Sequence, residues 1–157
     1  MKRLTLFFFI ELIVGFCVSC KAENKVSPQN MTENTNPMSE NKLKIKIGEK
    51  TFTATLSDNP TAAAFIALLP FTIKMNELNN NEKYADLSKS LPTNLSVPSS
   101  IQSGDLMMYG SKTFVLFYKD FSTSYPYTKL GNIDNISGLA AALGSGSVTV
   151  TFELSNK

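Results

Sequence analysis

Residues 101–120, IQSGDLMMYGSKTFVLFYKD, constrain the fold more than any other stretch of the chain. Two apolar runs, LMMY and TFVLFY, are split by Gly110, Ser111 and Lys112. The second run alternates aromatic, β-branched and aliphatic side chains, a composition suited to a strand buried on both faces. The small and polar residues between the runs supply a turn. This stretch is expected to be the central hairpin of a β-rich core.

The flanking sequence repeats the two-residue period of strands. Leu43, Ile45 and Ile47 alternate with Lys44 and Lys46, which reads as a half-buried strand with its lysines facing water. Gly48, Glu49 and Lys50 turn the chain, and Phe52, Ala54 and Leu56 alternate with threonines on the returning strand. Asp58 or Asn59 caps a helix over 61–69, with Pro60 at the first helical position, where its missing N–H costs nothing. Phe71, Ile73 and Met75 give a third strand, ended by the Leu78, Asn79, Asn80, Asn81 sequence. Residues 82–100, interrupted by Pro92 and Pro98, read as a long loop with one short strand near Tyr84. After the central hairpin come residues 121–127, FSTSYPY, and a strand over 129–133. Asn135, Ile136 and Ser137 are expected to cap a second short helix over 138–143, closed by Gly144. Val148, Val150, Phe152 and Leu154 alternate with Thr149, Thr151 and Glu153 in the last strand. The count is too β-rich for a doubly wound sheet. A mainly β, closed eight-stranded barrel capped by two short helices accommodates it and removes exposed edges.

The N-terminal part carries an address rather than a fold. Residues 1–19 have the parts of an export signal: Lys2 and Arg3, an apolar run from Leu4 to Val18, and small Ser19 before Cys20. The apolar run falls short of the roughly 20 residues that span a bilayer as a helix. Glu11 inside it would cost about 2.5 to 3.5 kcal/mol at mid-membrane. The Val18, Ser19, Cys20 end resembles a bacterial lipoprotein box, with Cys17 where leucine is usual. That resemblance implies lipidation of Cys20, a hold that several acyl chains make essentially permanent. The expected location is then the bacterial cell envelope, lipid-anchored to the outer membrane. Cleavage by an ordinary signal peptidase is the alternative, leaving a periplasmic or secreted protein. Residues 20–41 contain no aromatic residue and are dominated by Asn, Glu, Ser, Thr and Pro, so they are expected to form a disordered, lipid-anchored tether. Its reach is roughly 25 Å. Residues 42–157 are expected to form one domain.

Composition excludes several chemistries. Both cysteines, Cys17 and Cys20, lie in the leader, and the chain has no histidine. The domain therefore lacks a thiol nucleophile, a disulfide, an imidazole base and the soft ligands of a zinc site. Asp120, Asp134 and Glu153 are scattered singly, with no spacing that advertises a site of hard oxygen ligands, so neither a metal nor another cofactor is expected. The net charge of +2 is dispersed, which points away from nucleic acid.

The order of elements, with NPTAAAFIALLP, GDLMMYG, TFVLFYKDF and the closing SGLAAALGSGSVTVTFEL, resembles the bacterial cyclophilin-like domain family. The resemblance implies an eight-stranded barrel with a helix at either end. The cyclophilin motif F-x-R-x-x-x-x-F-x-x-Q-x-G-D is matched at its end by Gln102, Gly104 and Asp105. Counting back without gaps places Ser99 at its second Phe, Asn94 at its Arg and Pro92 at its first Phe, and none of these fits. Cyclophilins are thought to lower the amide rotation barrier, about 18–20 kcal/mol, with a guanidinium. The only arginine here is Arg3. No catalytic residue is therefore assigned. Asp105 is expected to serve a turn or the start of a strand.

The candidate ligand-binding residues are Gln102 and Asn94, from the motif position, and Tyr109, Tyr125 and Tyr127, from an aromatic cluster within residues 109–127. Tyrosines can line a groove with an apolar face and a hydroxyl that orients a guest. Packing inside the barrel is the competing expectation for Tyr109 and Phe117. The leading functional expectation is an envelope lipoprotein whose barrel binds a small molecule or peptide without catalysis. The alternatives are a peptidyl-prolyl isomerase with an unconventional site and a protein-interaction or structural module.

Overall fold

The computed structural model describes residues 41–155. The export signal, Cys20 and residues 20–40 of the expected tether lie outside the described residues. Eight strands, β1 (Lys42–Ile47), β2 (Lys50–Leu56), β3 (Phe71–Leu78), β4 (Glu82–Asp86), β5 (Asp105–Tyr109), β6 (Thr113–Phe117), β7 (Thr128–Ile133) and β8 (Val148–Leu154), are joined by two short helices, α1 (Pro60–Ile66) and α2 (Leu139–Leu143). The strands close into an antiparallel barrel in the order β1-β2-β7-β5-β6-β4-β3-β8. The mainly β, closed, eight-stranded barrel with two helices is thus the fold of this chain.

Alternation becomes topology through the turns. Ile47 pairs with Lys50 across a two-residue turn in which Gly48 adopts φ 54°, a conformation glycine reaches without penalty. The β3–β4 turn takes left-handed Asn79 and Asn80, asparagine being a residue whose short polar side chain tolerates that region. At α1, Asn59 is the cap: its Oδ1 accepts from the Ala62 N–H at 2.8 Å, and its Nδ2 donates to the Lys129 carbonyl at 2.9 Å. One side chain thereby ends a helix and ties it to β7. Before α2 the cap differs from expectation. Asn135 accepts from the Ser137 N–H at 2.9 Å, but left-handed Gly138 holds the cap position with no side-chain bond. Gly131 is required by close approach, since a Cβ there would lie 2.3 Å from the Thr55 carbonyl oxygen and 2.8 Å from the Leu56 Cα. Both are backbone atoms of β2, so nothing yields cheaply to a larger residue.

The barrel interior holds the main core: Leu43, Ile45, Phe52, Leu106, Met108, Phe114, Leu116, Leu130 and Phe152, among others. Phe65 of α1 closes one mouth, its ring 5.2 Å from Phe114 and 5.5 Å from Phe71. Each fully buried side chain of this kind contributes about 1.5–3 kcal/mol. The opposite mouth is closed by an ion pair. Lys83, with no solvent exposure, donates to Glu77 Oε2, to the Gly144 carbonyl at 2.8 Å and to the Gly146 carbonyl at 2.6 Å. All three of its donors are used, and they draw the segment after α2 over the barrel end. Tyr118 donates its hydroxyl to the other Glu77 oxygen at 2.9 Å. Burial raises the Glu77 pKa, but the bonds from Lys83 and Tyr118 and the lysine charge outweigh it, and the net direction is down.

A second, smaller core lies outside the barrel. Met107, Val115 and Phe117 point away from the interior and pack with Ile101 and Tyr127. The cover is two chain segments paired through the bridges Ser96 to Tyr127 and Ile101 to Phe121. β5 and β6 are therefore buried on both faces, as their unbroken apolar sequence requires. Among the described residues no helix is long and apolar enough to cross a membrane.

Candidate functional site

The outward face of β4, β5 and β6 continues beyond the second core into an open cleft of about 630 Å³. Its floor follows from strand alternation. Glu82 and Tyr84, two apart on β4, share the outward face, and Tyr84 pairs with Val115 of β6. Leu106 and Met108 point inward, so Tyr109 at the end of β5 points out, and it remains 48% exposed. The residues 121–127 form the far wall and supply Phe121, Tyr125 and Tyr127.

The rings form a continuous wall. Tyr109 meets Tyr127 at 5.7 Å and, edge on, Tyr125 at 6.2 Å, while Phe117 meets Tyr127 edge on at 5.6 Å and Phe121 at 5.4 Å. These separations lie in the range of favourable aromatic contact. Tyr127 is buried and Tyr125 is exposed, so one anchors the wall and the other offers its face to the cleft. Four of the chain's five tyrosines, Tyr84, Tyr109, Tyr125 and Tyr127, line this space.

One ionisable group sets the electrostatics. Glu82 is only 8% exposed, and among the described residues its carboxylate has no ion pair or hydrogen-bonded partner. Burial, with the Glu77 charge adding to it, pushes its pKa up to about 7. Burial also pushes the Tyr127 hydroxyl up, and the Glu82 charge adds to that direction. Beside Glu82, the Asn81 side-chain oxygen is buried with no hydrogen-bond partner among the described residues. The cleft thus presents a carboxylate with no cationic side chain among the described lining residues to pair with it. An unpaired buried acceptor is costly unless something else supplies the hydrogen.

Of the five candidate ligand-binding residues, Tyr109, Tyr125 and Tyr127 meet in this cleft. Gln102 and Asn94 lie elsewhere. Gln102 is exposed, with its amide donating to Ser100 Oγ at 3.0 Å and to the Ile101 carbonyl at 3.3 Å. Asn94 is exposed too, its backbone N–H donating to Thr128 Oγ1 at 2.9 Å. Asp105 ends the same motif and is structural: buried at the start of β5, it accepts from the Gln102 N–H at 2.9 Å and pairs with Lys129 at 3.3 Å. Gly104 before it takes φ 95°, and a Cβ there would lie 2.7 Å from Ile136 Cγ2. Sequence reasoning missed Glu82 and Tyr84. The signal was present, since the triple-asparagine turn starts a strand whose first and third residues must share a face. Among the described residues no three Asp, Glu, His or Cys side chains converge as a metal site would need.

Residues 45–153 match the profile of a cyclophilin-like family. Comparison with curated proteins gives no match. Among solved structures, the chain is similar to the solution structure of a hypothetical protein from Archaeoglobus fulgidus. The two share 17% identity and a TM-score of 0.51, over 74% of this chain and 96% of the other. At that identity the likeness is one of fold.

Proposed function

The chain belongs to the cyclophilin-like family, and from that premise we propose that its barrel is a binding module of the bacterial cell envelope, holding a small molecule or peptide in the outer-face cleft without transforming it. The observation that carries this reading is the cleft itself: about 630 Å³, walled by tyrosines, with Glu82 buried in its floor. A concave, largely aromatic space with a few convergent polar groups is the usual form of a ligand site. Against catalysis stands the side-chain inventory. The only arginine is Arg3, in the leader, there is no histidine, and both cysteines precede the domain. A lysine does not replace a planar guanidinium at a bidentate site, and Lys83, the lysine nearest the cleft floor in sequence, is turned inward and occupied.

A proline-peptide isomerisation assay on the full chain tests the absence of turnover. The expected rate is that of buffer. Acceleration that disappears in Tyr125→Ala would instead make the cleft an isomerase site. The envelope assignment rests on the leader and on Cys20. Labelled fatty acid should be incorporated into the wild type, and Cys20→Ala should lose the label and leave the membrane fraction. Equal labelling of both proteins contradicts the anchor.

A further inference from the structure

The cleft has a chemical polarity that narrows what can occupy it. Among the described residues lining it, Glu82 is the only one with a formally charged side chain, and no lysine or arginine lines it. The nearest cation behind the sheet, Lys83, is already consumed by Glu77 and two carbonyls. Around Glu82 stand Tyr84, Tyr109, Tyr125 and Tyr127, whose ring faces carry the negative side of the aromatic quadrupole. An anion would meet a carboxylate and negative ring faces. A neutral guest would leave the carboxylate without a counter-charge.

We propose that the cleft takes a compact organic cation with N–H donors, a primary ammonium or a guanidinium, seated against Glu82 and flanked by the tyrosine rings. This rests on reading the cleft as a ligand site and gives that ligand its class. The cation supplies the counter-charge Glu82 lacks, and its charge lies over the aromatic faces. The same group could belong to a free amine or to a lysine or arginine side chain of a peptide.

Occupancy has a built-in reporter. The chain has no tryptophan, and four of its five tyrosines line the cleft, so tyrosine emission responds mainly to what enters it. The purified full chain is titrated at pH 8 with butylammonium and butylguanidinium, and with butanol and butyrate as neutral and anionic counterparts of similar size. The cations should give saturable changes at least about tenfold tighter than the other two, and Glu82→Gln should weaken them by about tenfold or more. Tyr125→Ala, which removes a side chain from a residue 61% exposed, should weaken the cations severalfold and butyrate not at all.

Affinity should fall from pH 8 to pH 5.5 as Glu82 takes up its proton. The titratable groups around it are Glu77 behind it on β3, Tyr84 on its own strand, Tyr109 from β5, and Tyr125 and Tyr127 from the covering segment; Lys83 faces the other side of β4. Equal binding of cation, alcohol and carboxylate, or cation binding unchanged in Glu82→Gln, overturns the cation assignment while the cleft remains a ligand site. Absence of saturable change with any probe overturns both. N-acetyl-lysine amide and N-acetyl-arginine amide separate the two sources. Binding at the level of the free amines assigns a peptide side chain, and their exclusion assigns a free amine.

Discussion

Lys83→Met is expected to destabilise the barrel by about 3–5 kcal/mol, the range for removing one partner of a buried ion pair. The lysine has no solvent exposure and holds three acceptors, the Glu77 carboxylate and the carbonyls of Gly144 and Gly146. Without it, Glu77 keeps the Tyr118 hydroxyl and the Asn80 backbone N–H but no counter-charge, and two carbonyls at the barrel mouth lose their donor. Methionine fills the volume, so the loss reports on charge and hydrogen bonding rather than on a cavity. The double variant Glu77→Gln with Lys83→Met should recover much of the stability, because no buried charge is then left unpaired. The pH dependence has a definite sign. The folded Glu77 pKa is lowered from the ordinary carboxylate value of 4.5, so the pair's contribution is present above that value and is lost as pH falls through the folded pKa. The penalty in Lys83→Met should accordingly shrink in acid. Urea unfolding at neutral and acid pH measures both effects, and a midpoint within error of wild type at pH 7 would refute the account.

Glu82→Gln is expected to act in the opposite direction. The folded pKa of Glu82 is raised from 4.5 to about 7, so the folded state holds its proton more tightly than the unfolded chain. Wild-type stability from this group is complete below about pH 4.5 and declines as pH rises through about 7. The gap sets an upper bound of about 3 kcal/mol, and because the carboxylate borders an open cleft the expected gain for Glu82→Gln at pH 8 is about 1–2 kcal/mol. Below pH 4.5 the two proteins should be equally stable. Denaturation curves at pH 4 and pH 8 test this, and a difference that does not change between the two pH values would show that the carboxylate is not strained by its surroundings. A residue that lowers stability at neutral pH in a cleft of tyrosines marks a place where the fold is held against its own optimum.

Both residues lie on β4, where the linear pattern is weakest. In β1, β2 and β8 the alternation of apolar and polar side chains is visible in single runs, and the barrel follows these runs closely. In Glu82, Lys83, Tyr84 and Ala85 the inward positions carry a lysine and an alanine, and the outward ones a glutamate and a tyrosine. The period of two is intact, but its usual chemistry is inverted, so the sequence yields only a short strand near Tyr84 within a long loop. Lys83 can point inward only because Glu77 and the Gly144 and Gly146 carbonyls, the latter 61 and 63 positions away, meet it there. Tyr109 is a milder case. A tyrosine ending an apolar run reads as core packing as easily as groove, and its outward direction follows only once Leu106 and Met108 are known to fill the interior.

The chain's own pattern determined the class of fold, the two helices and their places, the double-sided burial of the central hairpin and the absence of imidazole, thiol and guanidinium from the domain. These depend on composition and on neighbours one to four residues apart, which sequence displays directly. Tertiary structure alone decided that Glu82, Tyr109 and Tyr125 share one cleft, that Gln102 and Asn94 do not reach it, and that a lysine seals the barrel mouth. Those outcomes follow from strand order, which places β4 beside β6 and β6 beside β5, and no local period records which distant strands will be neighbours.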